Sequence, residues 1–189
     1  MLSNIPKRRK RKIIYMEKHN ITTQEMELLI YNFFEKSSIV IVPKFTRHNA
    51  VKYKDETKHL GYRSENIVSH ECDILLVTKN NYLREIEIKI SISDFRADFN
   101  KKHNHEGNIR QFYYAVPYYI LDDIKAFVPE HAGILVAKYN EERSEKWQIE
   151  RYKKPIDNKK AKPIDEQMLN KIFRIGYLKY WFYRKRQEE

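Results

Sequence analysis

The sequence predicts an α/β domain with a mixed central β-sheet flanked by helices. Three observations point there. Short runs rich in Ile and Val are bounded by Pro, Gly or Asn. Segments with apolar residues at helical spacing lie between them. One run, Tyr82 to Ile90, alternates apolar and charged residues with the period of a strand. The order reads helix, strand, strand, strand, helix, strand, helix, strand, with a further strand and a basic C-terminal helix behind it.

Taken in order, Thr22-Thr23-Gln24-Glu25 reads as a capping box, with a hydroxyl at the N-cap and a glutamate three residues on. Met26, Leu29, Ile30, Phe33 and Phe34 then mark one apolar helix face to about Lys36. Ile39–Val42 is β-branched and reads as a strand ended by Pro43. Residues 46–68 are polar and mixed, expected to be a loop or an irregular edge strand. Asp73–Thr78 is apolar on both faces, as a central strand is, and Lys79-Asn80-Asn81 turns the chain. In the next strand Ile86, Ile88 and Ile90 face one way while Glu85, Glu87 and Lys89 face the other. Ser93 or Asp94 is placed to cap a short helix through Phe99. Phe112–Val116 is a strand stopped by Pro117, Asp122–Phe127 a short helix, and Gly133–Tyr139 and Lys146–Tyr152 two further strands. Residues 153–163, with two prolines and five lysines, read as a hinge-like linker between a core (13–152) and a basic aromatic helix (164–189).

Hydrophobic residues are 41% of the 189 and charged residues 33%, which supports one packed core and argues against wholesale disorder. No apolar run approaches the roughly 18 residues of a membrane helix, and no apolar signal segment follows the basic start. The single cysteine, Cys72, excludes an internal disulfide and a Cys-rich zinc site. A cytoplasmic, reducing setting is therefore expected. The net charge of +11 is unevenly placed. Residues 1–12 carry six cations and no acid, residues 151–189 a net +7, and residues 13–150 a net −2. Basic ends around a slightly acidic centre suit a polyanion gripped by the termini and acted on by carboxylates.

The chemistry resides in that centre. Glu85, Glu87 and Lys89 project from one face of one strand, and Asp73 opens the strand before it. Burying such charges costs several kcal/mol each without partners. A divalent cation offsets that cost for two carboxylates, and oxygen ligands suit Mg²⁺ or Mn²⁺. Asp73 and Glu87 are the expected metal ligands, the Ile88 carbonyl between them and Lys89 a further one, and Lys89 the group that orients water or offsets charge on a phosphate. The expected activity is hydrolysis of phosphodiester bonds in DNA.

The stretch from Cys72-Asp73 through Glu87-Ile88-Lys89 resembles the active-site hairpin of the PD-(D/E)XK nuclease superfamily. Ile88 to Phe99, which ends Asp94-Phe95-Arg96-Ala97-Asp98-Phe99, looks like the corresponding run of the MmcB-like family, associated with DNA repair. Tyr113–Pro117 and Val128–Ala137 agree with it, so the match covers roughly residues 70–137. The resemblance implies a restriction-endonuclease-like core and an acidic residue supplied by the first helix, for which Glu27 is the candidate; the capping box already accounts for Glu25. It departs from the family at His70-Glu71-Cys72-Asp73, where Arg-Ala-Asp is usual, and at Lys101-Lys102-His103, where an aromatic residue is usual.

Other residues are read more plainly. His103 and His105 belong to a solvated loop, His70 lies near Asp73, Gln111 is a possible DNA contact, and Cys72 is a small buried residue. The aromatic and basic C-terminal helix is expected to dock on the core by its aromatics, with a basic tip left for phosphate. Two alternatives stand beside the nuclease: a nuclease-fold module that binds DNA without cutting, and a single-stranded nucleic-acid-binding protein that stacks bases on those aromatics. Cutting both strands of a duplex would favour a homodimer.

Overall fold

The computed structural model describes residues 19–45, 71–99 and 108–186. The basic segment 1–12, the stretch 46–68, His70, Lys101, Lys102, His103 and His105 lie outside the described residues. The described residues form a mixed α/β fold in which the strands hydrogen-bond in chain order: β1 (Ser38–Phe45), β2 (Cys72–Thr78), β3 (Leu83–Ile88), β4 (Ile109–Pro117), β5 (Gly133–Tyr139) and β6 (Trp147–Lys153). Pairs β3–β4 and β4–β5 are parallel and the others antiparallel. Helices α1 (Thr23–Phe34), α2 (Ile92–Phe99), α3 (Tyr118–Ile124) and α4 (Glu166–Arg186) flank this sheet.

Local chemistry explains where the elements start. Thr22 is the N-cap of α1 and the capping box is complete: its hydroxyl accepts the Glu25 N–H at 3.2 Å and Glu25 accepts the Thr22 N–H at 2.8 Å. The cap of α2 is Ser91, whose hydroxyl accepts the Asp94 N–H, rather than Ser93 or Asp94. Asp165 caps α4 by accepting the Met168 N–H at 2.7 Å. Ile164 and Leu169 meet across that start in one apolar cluster, as in a hydrophobic staple.

Three boundaries differ from the sequence reading. Strand β1 continues through Pro43 to Phe45. Among the described residues it pairs only with β2, and an edge strand tolerates a missing N–H. Helix α3 begins directly after Pro117, four residues earlier than the periodicity suggested. Ile120 and Ile124 are its buried positions, one turn apart. Residues 154–165 carry no helix or strand, yet they are not a free hinge. Ile156 N–H donates to the His131 carbonyl, Asn158 N–H to Arg110 and Ile164 N–H to Asn81, while the Arg110 guanidinium grips Asp157 at 2.9 Å.

The two sheet faces are packed differently. Ile74, Leu76, Ile86, Ile88, Tyr113 and Ala115 meet Met26, Ile30 and Phe34 of α1 in one continuous cluster. The opposite face holds two clusters. One joins Val42, Leu75, Val77 and Leu83 to Ile164 and Ile172 beside α4. The other joins Phe112, Tyr114, Ile134 and Val136 to Phe95 of α2 and to Ile120 and Ile124 of α3. Strand β3 runs between them. On the α1 face, Gly133 lies opposite Tyr113, and a Cβ there would sit 2.6 Å from the Tyr113 ring and 3.0 Å from the Lys153 carbonyl. Gly133→Ala is expected to destabilise the fold by about 1–3 kcal/mol, because ring and backbone must both give way. Urea denaturation checks this, and an unchanged midpoint would contradict the packing described.

Candidate active site

Strand pairing dictates how the charged residues meet. The Cα partners Leu75↔Glu85 and Glu85↔Phe112 put Glu85 on the two-cluster face, between an aliphatic and an aromatic neighbour. Glu87, opposite Tyr114, follows on the same face. Glu85, Glu87 and Lys89 are only 0%, 6% and 3% exposed, so the charged column of β3 fills the seam between the two clusters. These charges are therefore not a solvated strand face.

The site opens where β2 and β3 stop pairing. Their last paired residues are Ile74 and Ile86, whereas β3 stays on β4 through Ile88↔Ala115 and a bond from the Lys89 N–H to the Ala115 carbonyl. On the β2 side, Asp73 takes over from the backbone: its Oδ2 accepts the Ile88 N–H at 2.8 Å. This bond brings the Asp73 carboxylate beside Glu87. Lys89 Nζ donates to Glu87 Oε2 at 3.1 Å, while the buried Glu87 Oε1 accepts no hydrogen bond. Burial, and then the adjacent Asp73 charge, push the Glu87 carboxyl up to about 7 against the opposing pull of Lys89.

Glu27 approaches from α1. Its Oε1 is buried and accepts no hydrogen bond. Burial raises its carboxyl above the ordinary value; Lys44 and Lys179 oppose that rise, and Asp73 adds to it. The structure thus brings together Asp73, Glu87 and Lys89, while Glu27 on α1 is joined to them by no hydrogen bond and only feels the Asp73 charge. Among the described residues no three or more His, Cys, Asp or Glu side chains come together as a group that could hold a metal ion. Two carboxylates with unsatisfied or mutually repelling oxygens nevertheless fit a cation such as Mg²⁺, which takes one or two carboxylates and keeps several waters. Asp73 and Glu87 would hold it, with the Ile88 carbonyl as the backbone ligand.

Some readings change with the fold. Gln111 is opposite Arg84, on the α1 face and away from the carboxylates. It accepts from Arg84 Nε at 2.7 Å and donates to Asp157 at 2.7 Å, which makes it part of a structural network. Burial, then the surrounding carboxylates, raise the Cys72 thiol, in keeping with a buried residue and no nucleophile. Glu71 is exposed, and its charge acts on Lys179. Lys44 escaped the sequence reading, and Lys179, read there as a phosphate contact among the C-terminal aromatics, is turned to the sheet instead. Lys179 Nζ donates to the Pro43 carbonyl at 3.2 Å and to the Lys44 carbonyl, which ties α4 to the end of β1 beside Glu27. Lys44 has a left-handed backbone (φ 49°) at that contact. No local pattern could pair residues so far apart in the chain.

No protein-family model matches the chain, and no curated protein does. A solved structure that it resembles is a protein of unknown function from Silicibacter pomeroyi, with a TM-score of 0.52 and 14% identity, covering 85% of this chain and 86% of that one. At that identity the likeness supports the α/β fold alone. Among the described residues no helix is long and apolar enough to cross a membrane.

The raised Glu87 carboxyl carries a pH signature. The folded state binds that proton more tightly than the unfolded chain, where the value is near 4.5. Its contribution to stability is therefore complete below about pH 4.5 and fades as pH rises through about 7. In metal-free solution the melting temperature of Glu87→Gln, which cannot ionise, should fall less between about pH 5 and 8 than that of the wild type. Parallel melting curves across that range would contradict the burial of a titrating carboxyl.

Proposed function

We propose that this chain is a metal-dependent endonuclease of the PD-(D/E)XK type that hydrolyses phosphodiester bonds in DNA. The observation that carries the reading is the meeting of Asp73, Glu87 and Lys89 where β2 and β3 part, with Asp73 locked to the Ile88 N–H and Glu87 bonded to Lys89. A buried ion pair with one carboxylate oxygen left over is a poor device for stability alone, since its desolvation outweighs much of its attraction. It is a good device for holding charge ready for a ligand.

Each residue then has a task. Asp73 and Glu87 would hold Mg²⁺ or Mn²⁺, which when bound would polarise a phosphoryl oxygen and make water more acidic. Lys89, fixed by Glu87, holds its ammonium where charge builds on the phosphate as a water oxygen bonds to phosphorus and the ester oxygen leaves. The attacking water gives up a proton to solvent, and the leaving oxygen takes one up from it. Glu27 supplies a further carboxylate that can orient the attacking water. The net charge of +11 supports a polyanionic substrate, because Lys and Arg contacts to phosphates displace counterions. A homodimer would let two such sites act on both strands of a duplex.

The decisive assay is cleavage of labelled single-stranded, duplex and branched DNA with Mg²⁺, Mn²⁺ or EDTA. Asp73→Asn keeps an acceptor for the Ile88 N–H while removing the charge, so it separates chemistry from folding better than Asp73→Ala. We expect metal-dependent cutting that falls roughly 100-fold or more in Asp73→Asn and in Lys89→Met, with unchanged circular dichroism. Cutting in EDTA, or undiminished cutting by folded Asp73→Asn, would reject this site. Equal DNA binding with and without metal and no cutting would point instead to a binding module.

A further inference from the structure

Helix α4 has two unlike halves. Its first turns are docked: Met168, Leu169, Ile172 and Ile175 pack on the cluster beside β1 and β2. Beyond them the aromatic residues expected to dock stay in solvent. Tyr177, Tyr180 and Trp181 are 62%, 59% and 44% exposed. They stand at i, i+3 and i+4, which places all three on one stripe of the helix. The Trp181 ring meets Tyr177 and Tyr180 edge to face, at 6.2 and 5.5 Å between centroids. That arrangement does not stack the three rings on one another.

Two further observations say what this stripe faces. Residues 166–186 contain six Lys and Arg and one acid, so the aromatics sit in a strongly cationic helix. Lys179, in the same turn, is tied to the Pro43 and Lys44 carbonyls and lies near enough to Glu27 for each to influence the other's charge. Lys179 leaves the helix on the side away from the three rings and holds that turn to the end of β1, which turns the stripe outward to solvent. Two copies of so basic a helix would repel each other across a shared interface.

We propose that Tyr177, Tyr180 and Trp181 form a stacking surface for unpaired bases, so that the substrate of the candidate site is a nucleic-acid strand with a single-stranded segment. The surface stands on its own geometry, whereas its role as a substrate guide rests on the nuclease reading. Bases stack on rings whatever their sequence, while the surrounding cations follow the phosphates. A paired duplex hides its base faces and gains only the cationic contribution.

Binding is measured in EDTA, so that no cleavage intervenes, with dye-labelled oligothymidylate and a duplex of the same length. The triple variant Tyr177→Ala, Tyr180→Ala, Trp181→Ala should weaken oligothymidylate binding roughly tenfold or more and duplex binding less than about twofold. Replacing all three by Phe keeps ring faces and should retain most of the affinity. In a Trp147→Phe background Trp181 is the one tryptophan left, and its emission should be quenched by oligothymidylate; should the triple alanine variant not fold, this signal and Trp181→Ala alone decide. Equal losses on both nucleic acids, or no loss, would overturn the proposal. So would a Trp181 response to phosphatidylglycerol vesicles but not to oligothymidylate, or a dimer that depends on the three rings while oligothymidylate binding does not. Ring-dependent binding without metal-dependent cutting would sink the nuclease reading and leave the stacking surface in place. Cutting indifferent to the rings would do the reverse.

Discussion

Glu85 and Glu87 on the third strand and Lys89 just after it lie almost fully buried, and much of the architecture follows from accommodating them. Charged groups cannot join an apolar core without a cost of several kcal/mol each. The core on that face is consequently divided, with α4 covering one cluster and α2 and α3 the other. The opposite face has no such column and is closed by α1 over a single cluster. The pairing of Lys89 with Glu87 offsets part of the cost, but the proximity of Asp73 adds to it, which is why the Glu87 carboxyl is held high.

Strand polarity decides where this charge becomes accessible. Strand β3 is parallel to β4 and continues beside it after its antiparallel partner β2 has left the ladder. The Asp73 side chain replaces the lost backbone bond at Ile88. A carboxylate used in this way is held by the fold before any ligand arrives, which is the preorganisation that electrostatic catalysis requires. The surrounding elements add to the same spot: α1 brings Glu27 from one side, and Lys179 of α4 reaches the end of β1 from the other.

The opposite end of the central strands is secured by different means. Arg84, Gln111, Asp157 and Arg110 form a chain of hydrogen bonds from β3 across β4 to the segment after β6. The Gln111 bond, then the two Arg110 contacts and the nearby Arg84, hold the Asp157 carboxyl below its ordinary value despite partial burial. That segment returns the chain to Asn81, next to which α4 begins. The C-terminal helix is thus delivered to the β1 edge by a strapped connection, and Lys179 ties it there to the Pro43 and Lys44 carbonyls.

Much of this was determined by local sequence. The capping box at Thr22 and Glu25, the alternation along β3 and the doubly apolar run of β2 are short-range patterns that report the physics of one turn or one pleat. They sufficed to place Asp73, Glu87 and Lys89 on neighbouring strands. Tertiary structure alone decided the rest. It buried the β3 charges, because burial depends on which helices cover a face. It carried β1 through Pro43, because only the sheet order reveals an edge. It turned Gln111 away from the carboxylates, since a one-residue step in register moves a side chain to the opposite face. It also left Tyr177, Tyr180 and Trp181 in solvent, because the aliphatic residues before them had already filled the available surface of the sheet.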